Sequence, residues 1–129
     1  MTCQIIDLIA DGSDPRFQII CDLIDIVSKN GMLLLNVGPR ADGSITEEEQ
    51  AVLQGLGQFL QVNGEGIYDT TPWKWFGEGS VNAADGFFMD SDEKAFTSED
   101  FRFTYKDGCV YAFWLRPKGR EVTIRTFAA

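Results

Sequence analysis

The middle of the chain carries an apolar run, Met32–Val37, in which Asn36 is the only polar residue. A strand with one face in solvent would alternate apolar and polar residues, whereas a run that is apolar on both faces is typical of a strand covered on both sides. The run therefore predicts a buried strand over residues 32–37. Helical periodicity precedes and follows it, which is the element order of proteins that alternate helices and strands.

Two helices are predicted, one on each side of this strand. The first is capped by Asp14 and runs to about Lys29. The second follows Thr46, which forms a capping box with Glu49, and runs to about Val62. Their apolar stripes consist of Phe17, Ile20, Cys21, Ile24 and Val27 in the first helix and of Val52, Leu53, Leu56, Phe59 and Leu60 in the second.

A further strand is predicted at Gln4–Ala10, a short apolar segment that is rich in isoleucine. It can pair in parallel with Met32–Val37 if the first helix makes a right-handed crossover between the two strands. The first half of the chain is therefore predicted to run strand, helix, strand, helix.

The end of the chain has the pattern of β-strands. Residues 101–105 alternate aromatic and polar side chains, and Asp107-Gly108 is a strong hairpin signal before a second strand at Val110–Leu115. A third strand is predicted at Glu121–Phe127, which completes a three-stranded antiparallel meander. Between the two halves, residues 65–99 are predicted to form a long loop with one short strand near Phe87.

The longest ordered motif in the chain is VSKNGMLLLNVGPRADGSI, followed by a helix and by NGEGIYDTTPW. It resembles the end of the catalytic barrel of α-L-fucosidases of glycoside hydrolase family 29, which show V-S-K-x-G-x-L-L-L-N-x-G-P-x-x-D-G-x-I and N-G-E-x-I-Y-x-T-x-P-W. The later stretch DFRFTYKDGCVYAFWLRPKGREVTIRTF resembles the first strands of the family's C-terminal β-domain. The similarity covers roughly Ile20 to Phe127, and residues 1–13 match no motif.

The resemblance implies a division of the chain into two parts. Residues 1–66 would be the last β/α unit or units of a fucosidase-like barrel, and residues 67–129 a linker and a partial C-terminal β-domain. A complete (β/α)₈ barrel needs about 250 residues, so this chain of 129 residues cannot form one. The predicted fold class is α+β, a fragment of a (β/α)₈ barrel followed by an antiparallel β-meander.

The same resemblance implies the chemistry of a retaining α-L-fucosidase, which hydrolyses terminal α-L-fucosyl linkages of a fucosylated glycan or fucoside. The family uses an Asp nucleophile and a Glu acid/base, and both come from barrel strands upstream of the matched region. No catalytic residue is therefore assigned to this chain, and it is expected to be incomplete for catalysis on its own. The alternative is a non-catalytic carbohydrate-binding or self-assembling module derived from the same fold.

Four residues are candidates for contact with a sugar. Barrel active sites lie at the C-terminal ends of the strands, so Asn36 and Arg40 would face that rim in a complete enzyme. Trp73 and Trp75 could stack on a sugar face. The structural alternatives are that Asn36 is a hydrogen-bonded polar group of the core and that the two tryptophans pack between the barrel and the β-domain.

The composition of the chain limits which classes of partner and cofactor are expected. The formal net charge of −9 argues against nucleic acid, because phosphate binding needs basic surface. No segment approaches the roughly 20 apolar residues of a membrane span. The chain has no histidine, and its three cysteines show no CxxC spacing, so we expect neither a metal nor a cofactor. No basic region precedes the first apolar residues, so no signal peptide is expected and the chain as it stands is predicted to be cytoplasmic.

A homo-oligomer is also predicted. A strand at residues 32–37 would have at most one neighbouring strand within this chain, and an exposed apolar edge tends to pair with another chain.

Overall fold

The computed structural model of the chain describes residues 2–7, 14–79 and 96–128. These residues hold four strands, two α-helices and two short 3₁₀-helices. In chain order they are β1 (Thr2–Asp7), α1 (Pro15–Ser28), α2 (Glu47–Asn63), a 3₁₀-helix (Gly64–Gly66), β2 (Thr71–Glu78), β3 (Phe101–Lys106), β4 (Cys109–Trp114) and a second 3₁₀-helix (Arg125–Phe127). The prediction of an α+β chain is confirmed.

The strands form one mixed sheet in the order β1-β4-β3-β2. β3 is antiparallel to both of its neighbours, whereas β1 runs parallel to β4. The predicted hairpin turn between β3 and β4 is confirmed. Asp107 and Gly108 have φ angles of 49° and 82°, and two successive positive φ angles are what a tight turn between right-twisted strands requires.

Each face of the sheet carries a buried cluster, because side chains along a strand point alternately to the two faces. Tyr111 and Phe113 of β4 face α1, whereas Val110, Ala112 and Trp114 face the other way. The first cluster also contains Ile6, Phe17, Ile20, Cys21, Ile24, Ile67 and Leu115. The second also contains Phe101 and Phe103, with Trp73, Ile124 and Phe127 packed against it.

Both helices begin where their capping residues predicted. The Asp14 side chain accepts a hydrogen bond from the Arg16 backbone N–H at 2.9 Å. The capping box of α2 is present in both directions, since Thr46 Oγ1 accepts from the Glu49 N–H and Glu49 Oε2 accepts from the Thr46 N–H, each at 3.2 Å. Local hydrogen bonds of this kind depend on few residues, which is why sequence alone locates helix starts.

The prediction of a buried strand at Met32–Val37 is wrong. Residues 31–40 form neither helix nor strand, and the side chains of Met32 and Leu34 are 95% and 93% exposed. The predicted partner, a strand at Gln4–Ala10, is confirmed over its described part, but that strand pairs with β4 instead. None of the described strands lies beside residues 32–37, so the backbone N–H and C=O groups of this run make no hydrogen bonds of the kind that join strands. The run therefore stays at the surface without regular secondary structure.

The prediction of a third meander strand at Glu121–Phe127 is also wrong. Residues 121–124 are irregular, and a 3₁₀-helix follows at Arg125–Phe127. The edge position beside β3 is taken by β2, so the prediction of a long loop over residues 65–99 is wrong at Thr71–Glu78. The Glu78 carboxylate at the end of β2 accepts hydrogen bonds from the backbone N–H groups of Arg125 and Thr126, at 3.0 and 2.7 Å. These bonds hold the chain in a turn where its apolar alternation favoured a strand. The short strand predicted near Phe87 lies outside the described residues.

Candidate functional site

An apolar groove lies where the start of α1, residues 31–40 and the start of α2 meet. Residues 31–40 are referred to below as the extended segment. Its volume is about 530 Å³. The apolar lining consists of Ile19, Leu35, Val37, Ala51, Val52 and Leu53, and the polar rim consists of Asp14, Arg16, Asn36, Glu48 and Glu49. A concave apolar site with a few polar groups at its rim is the usual form of a ligand or partner site.

Glu49 holds the extended segment over α2. Its Oε1 accepts a hydrogen bond from the Gly38 N–H at 3.0 Å, and its Oε2 accepts from the hydroxyl of Thr46 at 3.1 Å as well as from the Thr46 N–H. The hydrogen bond from Gly38, followed by those from Thr46, lowers the pKa of the Glu49 carboxyl. The capping box therefore has a second role, because the same side chain fixes the wall of the groove.

The two predicted site residues of the extended segment are both at the surface. Asn36 is exposed on the rim of the groove, so it is not a polar group of the core. Arg40 is exposed and begins a turn in which its N–H donates to the Ser44 carbonyl at 2.7 Å and its own carbonyl accepts from Gly43 at 2.9 Å. Its guanidinium contributes to lowering the pKa of Glu49.

The two predicted tryptophans lie on β2 in different surroundings. Trp73 packs against Phe103 and Phe127, with ring centroids 5.5 and 4.9 Å away. Trp75 is 52% exposed, and the Lys74 ammonium lies 5.4 Å from its ring centroid. Neither tryptophan lines the groove that Asn36 borders. The described part of the chain therefore does not bring the four candidates into one site.

The difference between the two tryptophans comes from an irregularity in β2. Pro72 pairs with Thr104, but the next paired residue of β2 is Gly77, opposite Arg102. Residues 73–76 thus face only one residue of β3, and a bulge of this kind bends a strand and changes the direction of its side chains.

Sequence reasoning missed a buried ion cluster between α1 and β3. Arg102 is only 1% exposed, and its Nε donates to Asp25 Oδ1 at 2.5 Å. The other oxygen of Asp25 accepts from Lys29 Nζ at 2.8 Å. The Arg102 guanidinium also lies 5.5 Å from the ring centroid of Phe76 and 5.2 Å from that of Phe96. An aspartate within the apolar face of the first helix was the available signal.

The described residues contain no group of three or more His, Cys, Asp or Glu side chains placed to hold a metal ion. Among the same residues, no helix has both the length and the apolar character needed to cross a membrane.

The residues that line the groove lie in a part of the chain that is similar to known proteins. The sequence profile of the family described as Alpha-L-fucosidase matches residues 11–65. Tissue α-L-fucosidase of Macaca fascicularis is 46% identical over 68 residues, which are 53% of this chain and 14% of that protein. The human tissue enzyme is 44% identical over 68 residues, or 53% of this chain and 15% of its own length.

Solved structures give the same result over a longer part of the chain. Thermotoga maritima α-fucosidase, in complex with a mechanism-based inhibitor, is 36% identical with a TM-score of 0.53, and the match covers 70% of this chain and 18% of that one. The complex of Thermotoga maritima α-fucosidase with fucose matches 81% of this chain and 22% of that one, at 31% identity and a TM-score of 0.53. This chain thus spans less than a quarter of each of these relatives.

Proposed function

Since residues 11–65 belong to the α-L-fucosidase family, as their motifs predicted, we propose that this chain is part of, or a subunit derived from, a retaining α-L-fucosidase. The parent reaction is hydrolysis of terminal α-L-fucosyl linkages of a fucosylated glycan or fucoside. The observation that carries the proposal is the match of 81% of the chain to a Thermotoga maritima α-fucosidase structure that holds fucose.

We propose further that the chain is incomplete for catalysis on its own. Retention needs two carboxyl groups about 5 Å apart, one as nucleophile and one as acid/base. Two of the three carboxylates at the groove already have structural partners: Asp14 binds Arg16, and Glu49 binds Gly38 and Thr46. These hydrogen bonds favour a structural role for both side chains, in agreement with a catalytic pair that comes from another part of the enzyme.

The four candidates for sugar contact differ in how well their surroundings suit that role. Asn36 and Arg40 lie within the matched residues 11–65, and Asn36 is exposed at the groove, so we assign them the sugar contact. Trp75 offers an exposed ring for stacking, whereas Trp73 is engaged with two phenylalanines. The division into residues 1–66 and 67–129 is part of the same proposal.

Two measurements test the proposal. The purified chain, assayed with an aryl α-L-fucoside, is expected to give no turnover above a protein-free blank. In ¹H–¹⁵N spectra, L-fucose is expected to shift the amide signals of Asn36 and Arg40, and its mirror image D-fucose serves as the matched control.

The outcomes separate the two parts of the proposal. Turnover that survives purification and falls in Asn36→Ala and Arg40→Ala variants would show that the chain has a working site of its own. Equal shifts with both sugars would remove Asn36 and Arg40 from the proposed sugar site.

The predicted homo-oligomer also remains a proposal. Its support is the exposed apolar surface of the extended segment, because contiguous exposed apolar side chains commonly mark interfaces between proteins.

A further inference from the structure

The buried ion cluster joins the last turn of α1 to two strands of the sheet. Asp25 lies in that turn, and its carboxylate accepts hydrogen bonds from Arg102 of β3 at 2.5 Å and from Lys29 at 2.8 Å. Both cations also face the ring of Phe76 on β2, 5.1 Å from its centroid for Lys29 and 5.5 Å for Arg102. A cation over an aromatic face is attracted to it. One carboxylate and one ring therefore connect the end of α1 to both β2 and β3.

The contribution of this cluster is the orientation of the helix end. Apolar side chains of α1 hold the helix against the sheet, but the hydrophobic effect has no preferred direction. Charge-assisted hydrogen bonds require a defined distance and angle between donor and acceptor. Because taking two charges out of water is costly, a buried ion pair adds little net stability compared with apolar residues of similar size. Orientation is thus what the ion pair supplies and apolar residues at the same positions would not.

The extended segment begins directly at this helix end. Asn30 has a φ angle of 66°, and its N–H donates to the Val27 carbonyl at 3.0 Å. The Gly31 N–H donates to the Ile26 carbonyl at 2.8 Å. These two bonds around a left-handed residue form a Schellman ending. A Cβ at position 31 would lie 2.8 Å from Ile26 Cγ2, so the close turn needs glycine. The direction in which the extended segment leaves α1 therefore follows the orientation of the last turn.

These contacts account for the part of the fucosidase-like motif that the proposed sugar contact does not use. The motif begins V-S-K-x-G, which is Val27–Gly31 in this chain. Ser28 is fully buried, and its hydroxyl donates to the Asp25 carbonyl at 2.7 Å. Lys29 binds the carboxylate of the same aspartate, and Gly31 allows the close turn. The serine, the lysine and the glycine of this motif thus all support the end of α1.

The extended segment has two attachments, and Asn36 lies between them. The first attachment is Gly31, at the end of α1. The second is Gly38, whose N–H donates to Glu49 Oε1 on α2 at 3.0 Å. When one end of a short segment moves and the other end stays fixed, the residues between them move as well. A shift of the last turn of α1 is therefore transmitted to Asn36.

We propose that Lys29 and Arg102 are positioning residues for the proposed sugar contact at Asn36, and that they act through Asp25. The inference rests on the proposed function and extends it to the sheet. All four strands of the sheet lie outside residues 11–65, the part that matches the fucosidase family. The sheet thereby sets the geometry of a sugar-contacting segment to which it does not itself belong.

Spectra of the ¹H–¹⁵N amides of the purified chain test the proposal. Arg102 is only 1% exposed, so its own replacement can unfold the chain. Asp25→Asn keeps the shape of the side chain and places an NH₂ group opposite one of the two cations. Without sugar, it should shift the Asn36 signal and leave that of Arg40, which lies beyond the attachment at Gly38, in place. In a titration, it should raise the dissociation constant for L-fucose about threefold or more.

Two sets of variants separate positioning from stability. Val110→Ala removes buried atoms on the face of the sheet that points away from α1. It should lower the free energy of unfolding but leave the Asn36 signal and the dissociation constant for L-fucose unchanged. The side chain of Lys29 is 30% exposed, so substitutions there leave the core intact. Lys29→Met should act in the same direction as Asp25→Asn, whereas Lys29→Arg keeps the cation and should retain the unmodified behaviour.

An Asn36 signal that stays in place in both Asp25→Asn and Lys29→Met would overturn the proposal. So would an equal shift in Val110→Ala, since a loss of stability would then explain the effect. Failure of the proposed function gives a different result. A chain that binds neither L-fucose nor D-fucose would remove the sugar contact, while the spectra without sugar would still show whether the cluster positions Asn36.

Discussion

The β3–β4 hairpin and the segment from Gly31 to Asn63 differ in burial far more than in composition. Both carry many apolar residues, mostly aromatic in the hairpin and mostly Leu and Val in the other segment. In the hairpin, residues 101–104 and 110–114 are all buried. In the other region, α2 has no buried residue although it carries an apolar stripe, and Met32 and Leu34 are almost fully exposed. The hairpin lies between β1 and β2 with clusters on both faces, whereas the segment has described neighbours on one side only. Apolar sequence thus identifies residues that can be buried, and the fold decides which of them find a partner.

The largest expected effect contrasts one residue from each region. Phe103 is fully buried, so Phe103→Ala should lower the free energy of unfolding by about 3–5 kcal/mol. Leu34→Ala, measured in the same urea titration at a concentration that favours the monomer, should change it by less than about 0.5 kcal/mol. Similar losses for the two variants would mean that residues 31–40 pack as tightly as the sheet and that the comparison is invalid.

A somewhat smaller effect is expected at the ion cluster that joins the hairpin to α1, the helix that precedes the second region. Asp25→Ala removes the carboxylate to which the buried guanidinium of Arg102 donates from Nε, which should cost about 3 kcal/mol in urea unfolding. Lys29→Ala is the control, because it removes the more exposed partner of the same carboxylate and should cost less than about 1 kcal/mol. The cluster would lose its assigned role if the Lys29 variant were the less stable of the two.

The smallest effect concerns pH and the attachment of the extended segment. The hydrogen bonds from Gly38 and Thr46 lower the pKa of Glu49. A carboxyl with a lowered pKa in the fold contributes stability that is complete above its unfolded pKa of about 4.3 and is lost as the pH falls through the folded value. The protection of the Gly38 amide, measured as its hydrogen exchange rate relative to that of an unstructured amide at the same pH, should therefore fall only below about pH 4.3, while the hairpin amides stay protected.

Two variants isolate this contribution. Glu49→Gln should remove the acid-induced change in exchange at Gly38, because the amide side chain does not titrate. Glu48→Gln, one residue earlier on the same turn, should leave it in place. An acid-induced loss of protection at Gly38 that persists in Glu49→Gln would assign the pH dependence to another group.

The parts of the fold that sequence predicted depend on local signals. Asp14, Thr46 and Glu49 fix the helix starts through bonds to residues two or three positions away. Asp107-Gly108 fixes the hairpin through the backbone angles of two residues. The fucosidase resemblance likewise came from an ordered motif that can be read directly along the chain.

The errors all involve partners that are distant in sequence. The sequence of residues 31–40 does not indicate that β1 pairs with β4. The sequence of residues 121–127 does not indicate that Glu78 binds the backbone there. Arg102 occupies a position in an alternating strand that suggests solvent exposure, yet Asp25 on another element buries it. For the candidate site, the motif predicted that Asn36 faces the strand-end rim of a complete barrel, which stays a prediction. The bulge that separates the surroundings of Trp73 and Trp75 could not be predicted, because it depends on the register with β3.

The parallel pairing of β1 with β4 also constrains the order in which the chain folds during synthesis. Thr2–Asp7 is synthesised before its partner Cys109–Trp114, which emerges from the ribosome more than a hundred residues later. At elongation rates of about 5–20 residues per second, the first strand waits roughly 5–20 s for its partner. During that interval both helices can form from their own caps, while β1 stays an unpaired strand. The sheet is therefore completed at an edge whose strand is made before the other described strands, and a nascent chain arrested before β4 leaves β1 exposed to chaperones.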